Sequence, residues 1–160
     1  MSPDPAVVSI TTPSDTEIRI TREVAAPRPL VYAVHTQPEH VPHWLTGPPG
    51  WTMTVCEIDL RPGGAWRWVW EHPVDGRLEL SGEYLEIVAP ERVVNTESWG
   101  PSWPSTTNTL ALSETGPGTL VTTTIVYGSQ QARDQALASG MSDGMTATYA
   151  RLDGYLVSLG

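Results

Sequence analysis

From residue 16 the chain alternates. Over 16–24, Ile18, Ile20 and Val24 are apolar and mostly polar or charged side chains stand between them, the period of a strand with one buried face. The period then lengthens. Leu30, Val31 and Val34 recur at helical spacing, with Pro27 and Pro29 at the helix start, where proline is tolerated. A second short helix is predicted over 37–45, ending before the breaker run Gly47-Pro48-Pro49-Gly50. Six strands follow, over 52–60, 65–72, 77–88, 92–99, 106–113 and 119–127. Pro62-Gly63-Gly64, Asp75-Gly76, Ala89-Pro90-Glu91, Gly100-Pro101 and Gly116-Pro117-Gly118 supply the turns between them. After Gly128 the residues Met141, Met145, Thr148, Leu152, Leu156 and Leu159 follow three-and-four spacing, which predicts a long C-terminal helix. Gly140 and Gly144 each weaken its start by about 1 kcal/mol relative to Ala, placing the regular part from about 143. Short turns pair successive strands antiparallel, so the fold class is α+β, with about seven strands, two short helices after the first and a long final helix. Residues 1–15, rich in proline and polar groups, are read as a flexible tail, and 16–160 as a single domain.

Composition narrows the function. A chain of 160 residues, 39% hydrophobic, builds one core. A net charge of -9 repels polyphosphate backbones and anionic bilayers, so neither nucleic acid nor membrane is expected as a partner. No window offers the roughly 20 apolar residues of a spanning helix, and the first residues lack a signal-peptide layout, so the expected location is cytoplasmic. The lone Cys56 excludes an intramolecular disulfide and a cysteine-rich zinc site. There is no Phe and no Lys, while Trp occurs seven times. Codon bias in a G+C-rich genome accounts for the absences but not for where the tryptophans fall.

Three of them fall together. Period two puts Trp66, Trp68 and Trp70 on one strand face and Arg67 with Glu71 on the other. Such an indole wall suits a polycyclic, partly oxygenated ligand, or else packs under the final helix. Neighbouring strands give faces of Leu78, Leu80, Gly82 and Tyr84, of Asn95, Glu97 and Trp99, and of Thr106, Asn108, Leu110 and Leu112. Apolar faces with a few polar groups are what an orienting pocket needs. A carboxyl of Glu97 facing an apolar cavity would have its pKa raised, whereas a one-residue slip would turn it to solvent. Trp44, Trp51 and Trp103 fall in loop regions, as cavity mouth or loop anchors. His35, His40 and His43 straddle a helix break, which does not put three ring nitrogens on one face, and His72 adjoins Pro73 at a turn. No metal and no cofactor are expected, and no nucleophile triad, phosphate loop or dinucleotide fingerprint is present.

Trp44 before a Gly-Pro loop, Asp59-Leu60-Arg61-Pro62-Gly63-Gly64, Asp75-Gly76, the run Ser81-Gly82-Glu83-Tyr84-Leu85-Glu86-Ile87-Val88-Ala89-Pro90-Glu91-Arg92-Val93, and Gly118-Thr119-Leu120-Val121-Thr122 together resemble the START-like, Bet v 1-like superfamily. The branch they resemble is named for the activator of Hsp90 ATPase, and the likeness runs from about Thr16 to the end. It implies the helix-grip fold, a curved sheet wrapped around the final helix and enclosing a cavity. The expected lining is Trp66, Trp68, Trp70, Leu80, Gly82, Tyr84, Asn95, Glu97, Trp99, Asn108, Leu110, Met141, Met145 and Tyr149. Branch members often carry Trp after the glycine opening the last helix, where this chain has Met141 and Met145, which favours a pliable cavity floor or plain core filling.

With the indole stripe, the resemblance implies a module that sequesters or transports a hydrophobic, polycyclic aromatic or polyketide-like molecule, as a monomer or weak homodimer. A cyclase or aromatase using Glu97, Tyr84 and Asn108 is the enzymatic alternative. The resemblance also admits a self-sacrificing resistance protein for enediyne antibiotics, cleaved at a cavity-facing glycine such as Gly82, and a regulatory or chaperone-linked partner. The eukaryotic co-chaperone carries an additional domain for which this length leaves no room, so an Hsp90 role is not expected.

Overall fold

In the computed structural model, which describes residues 8–100 and 104–159, eight strands form one antiparallel sheet. In chain order they are β1 (Ser9–Thr11), β2 (Glu17–Val24), β3 (Thr52–Ile58), β4 (Ala65–His72), β5 (Gly76–Val88), β6 (Arg92–Glu97), β7 (Thr106–Thr115) and β8 (Gly118–Val126). The helices are α1 (Arg28–Thr36), α2 (Val41–Trp44), α3 (Gln130–Ala138) and α4 (Met141–Leu159). Across the sheet the order is β1-β2-β8-β7-β6-β5-β4-β3. The connection from β2 to β3 therefore crosses the full width of the sheet, and it carries α1 and α2. With α4 this is the helix-grip arrangement.

Two elements depart from the pattern reading. The segment taken as tail contributes β1, which makes eight strands rather than about seven: Ile10 pairs with Ile20 of β2 and packs on the Ile18, Ile20 and Ile125 cluster. So few apolar positions leave no legible period, and the strand exists because β2 offers it an edge. The C-terminal region is two helices. Ser129 caps α3 by accepting from the Ala132 amide at 3.1 Å, and Gly140, at φ +80°, turns the chain into α4 two residues earlier than expected.

Register fixes which side chains share the concave face. Tyr84 pairs with Asn95, Asn95 with Asn108, and Asn108 with Ile125, so these form one row across four strands. Val93, Leu110, Thr123 and Ile20 form the next. Leu112, Val121, Leu152 and Leu156 close the core beneath the C-terminal half of α4. Beneath its N-terminal half the sheet offers Asn108 and Thr123, while the helix offers Gly144, Ala147 and Thr148. Small and polar side chains meet there, so helix and sheet do not fill the space between them.

Candidate functional site

That unfilled space is a cavity of about 580 Å³. Trp66 and Trp68 from β4 wall one side, with ring centroids 4.6 Å apart. Tyr84, Val93, Asn95, Glu97, Asn108, Leu110 and Thr123 form the sheet side. The helical side is Met141, Gly144, Met145, Thr148, Tyr149 and Arg151, the inward stripe of α4. His35 and Thr36 at the end of α1, Trp44, and the loop from Leu45 through Gly47, Pro48 and Pro49 complete the lining.

Polar groups sit at defined points of this lining. Glu97 is half-buried, and desolvation raises its carboxyl pKa above the ordinary value. Asn108 and the Trp99 indole, donating to the charged form, oppose that rise. Asn108 is itself oriented by Thr106, whose hydroxyl donates to Oδ1 at 2.8 Å. Tyr149 is half-buried beside Arg22, whose guanidinium carbon stands 4.7 Å from the ring centroid. Burial pushes the Tyr149 phenol up, against the pull of Arg22 and of the Thr123 hydroxyl.

His35 lines the cavity as a neutral imidazole. Its Nδ1 lies 2.7 Å from the Val31 carbonyl oxygen, which can only accept, so the proton is on Nδ1. Burial lowers its pKa to about 4, so the ring is neutral at pH 7 and Nε2 carries a lone pair.

A family profile described as activator of Hsp90 ATPase homolog 1-like protein matches residues 25–157. The chain belongs to this family. A crystal structure from Rhodobacter sphaeroides is similar over 96% of this chain and 100% of its own, at 30% identity and a TM-score of 0.89. A protein from Nitrosomonas europaea shares 27% identity over 92% of this chain and 97% of its own, with a TM-score of 0.81. For one from Mycobacterium smegmatis the values are 25%, 92%, 96% and 0.79. No curated protein matches the sequence.

For this activator of Hsp90 ATPase homolog 1-like chain, the cavity brings together Trp66, Trp68, Tyr84, Asn95, Glu97, Asn108, Leu110, Met141, Met145 and Tyr149 among the residues expected to line it. Four others do not line it. Trp70 is buried below the loop and donates its N–H to the Leu45 carbonyl at 2.9 Å. Leu80 is core among Trp66, Trp70, Tyr84 and Val93. Gly82 lies against β6, where an added Cβ would stand 1.8 Å from the Thr96 carbonyl oxygen, so backbone approach requires the glycine. Trp99 sits past the end of β6, 40% exposed, and reaches the site only through its indole near Glu97.

Of the residues placed at the mouth, Trp44 is a fixed wall: it is buried, donates to the Val34 carbonyl at 2.9 Å and meets His35 edge-on. Trp51 packs near His72, with ring centroids 5.4 Å apart, and anchors its loop. Trp103 lies outside the described residues.

Pattern reasoning missed His35, Thr36, Leu45, Gly47, Pro48, Pro49, Val93, Thr123, Gly144, Ala147, Thr148 and Arg151. Gly144, Thr148 and Arg151 were recoverable, since they share the helical spacing of Met141 and Met145. The loop residues carried no such signal. Among the described residues no helix is long and apolar enough to cross a membrane.

Proposed function

We propose that this protein binds a hydrophobic, polycyclic aromatic or polyketide-like small molecule between the indoles of β4 and the N-terminal half of α4. The observation that carries this reading is the half-open cavity of about 580 Å³, walled in part by aromatic side chains and with its polar groups gathered at a few points. That size and makeup are typical of sites that take up drug-sized molecules. The test is a titration of intrinsic tryptophan fluorescence with a hydroxyanthraquinone, with palmitate as the control. Saturable quenching by the tricycle is expected, and Trp68→Ala should weaken it about tenfold by removing one ring from the wall. Equal binding of palmitate, or no response to the tricycle, would overturn the proposal.

A catalytic reading has one observation in its favour: His35, a neutral imidazole with a lone pair, lines the same cavity as the carboxyl of Glu97. Two proton acceptors facing one space, the His35 imidazole and the Glu97 carboxylate, suit enolisation of a bound poly-ketone, the step that precedes ring closure. If turnover of such a substrate is found, it should be lost in His35→Gln while binding persists; turnover that survives both His35→Gln and Glu97→Gln would exclude these residues.

A further inference from the structure

Glu97 lines the aromatic cavity, and among the described residues it has no ion-pair partner. Among the described residues its partners are neutral donors, Asn108 Nδ2 and the Trp99 indole, and Tyr127 beyond β8 is the titratable group beside it. The donors run one way. Thr106 donates to Asn108 Oδ1, which leaves Nδ2 to donate to Glu97 Oε2. Asn95, next along β6, turns its own amide to the Thr96 carbonyl. Both donors to Glu97 favour the charged carboxylate, against the rise that burial causes.

Arg151 is the charged cation of the lining, and its hydrogen bonds run to neutral acceptors on the α2–α4 side and not to Glu97. Arg151 donates to the Trp44 carbonyl at 3.3 Å and to Thr148 Oγ1 at 3.2 Å, and His35 is neutral. From α4 the lining nearest its start is Met141 and Met145, both uncharged. A half-buried anion held only by neutral donors, with no ion pair of its own, is costly, and a cationic ligand lowers that cost. Trp44, Trp66, Trp68 and Tyr149 line the same space, and aromatic rings attract cations through their quadrupole. The chain's net charge of -9 draws cations toward it.

We infer that the ligand is a polycyclic aromatic compound bearing a protonated amine, held by Glu97 through its ammonium group and by the indole wall through its rings. This rests on the cavity being a ligand site, and the experiment separates the two ideas. 1-Pyrenemethylamine and 1-pyrenemethanol share a ring system but differ in charge, and each is titrated by fluorescence and calorimetry. The amine should bind about tenfold or more tightly than the alcohol, the scale of a buried charge-assisted contact. Glu97→Gln should bring the amine-to-alcohol ratio to about one. On acidification the amine should weaken as Glu97 takes up a proton, while the alcohol holds. Equal binding of both pyrenes to the wild type overturns the inference and leaves the cavity reading intact. Binding of neither pyrene nor the hydroxyanthraquinone overturns both.

Discussion

His35 is neutral because the fold surrounds it, and the same burial makes its protonation a route to unfolding. Its folded pKa of about 4 lies below the ordinary 6.5, so between these values the unfolded chain binds more protons. Stability should therefore fall as pH drops through that window. Glu97 works in the opposite sense: its folded pKa is raised, so its contribution is present at low pH and lost as pH rises. Denaturant unfolding of wild type and His35→Gln from pH 7 to pH 4 should isolate the histidine, the variant being spared a loss on the order of 2 kcal/mol. An identical acid slope in both proteins would show that His35 is not the group involved. At Gly82 the prediction is steric. Gly82→Ala forces its methyl against the Thr96 carbonyl and should cost about 2 kcal/mol or more, read as a lowered denaturation midpoint.

At the scale of elements, α4 does two jobs along one stripe. Its second half supplies Leu152 and Leu156 to the core, and its first half supplies Gly144, Ala147 and Thr148 to the cavity. Gly144 and Gly154 have open space around an added Cβ, so Ala at either position should raise stability by about 1 kcal/mol through helix propensity. Only Gly144→Ala projects its methyl from a cavity-lining position and should also weaken ligand binding; Gly154→Ala should leave binding as it was. Thermal melts paired with the hydroxyanthraquinone titration check both. Strands, turns and the inward face of this helix were all legible in the periodicity, because a two-residue or three-and-four repeat survives local irregularity. β1 and α3 were not, since the first has too few apolar positions for a period and the second buries only Ala132.

At the scale of the whole molecule, closure of the helix on the sheet depends on a pair 131 residues apart. Arg22 stands on the buried face of β2, where alternation calls for an apolar residue, and is ion-paired to Asp153 of α4. With Arg22 3% exposed, removal of its partner strands a charge. Asp153→Ala should cost about 3 kcal/mol, and Arg22→Met, which removes the charge itself, should cost less. Equal destabilisation of the two, measured by urea denaturation, would contradict this account.

The amino-acid pattern by itself determined the kinds and order of the main elements and which side chains share a strand face, such as Trp66 with Trp68; which face is the concave one it left open. These follow from local periodicity, because side-chain direction in a strand or helix is set by the backbone a few residues either way. Tertiary structure alone decided which of those residues meet across the cavity. Trp70 and Leu80 share the face of Trp68 yet are covered by the loop at Leu45 and by neighbouring core, while His35 and Arg151 enter from helices far apart in sequence. Enclosure depends on contacts between distant segments and on where small side chains oppose one another, and neither leaves a repeat in the chain.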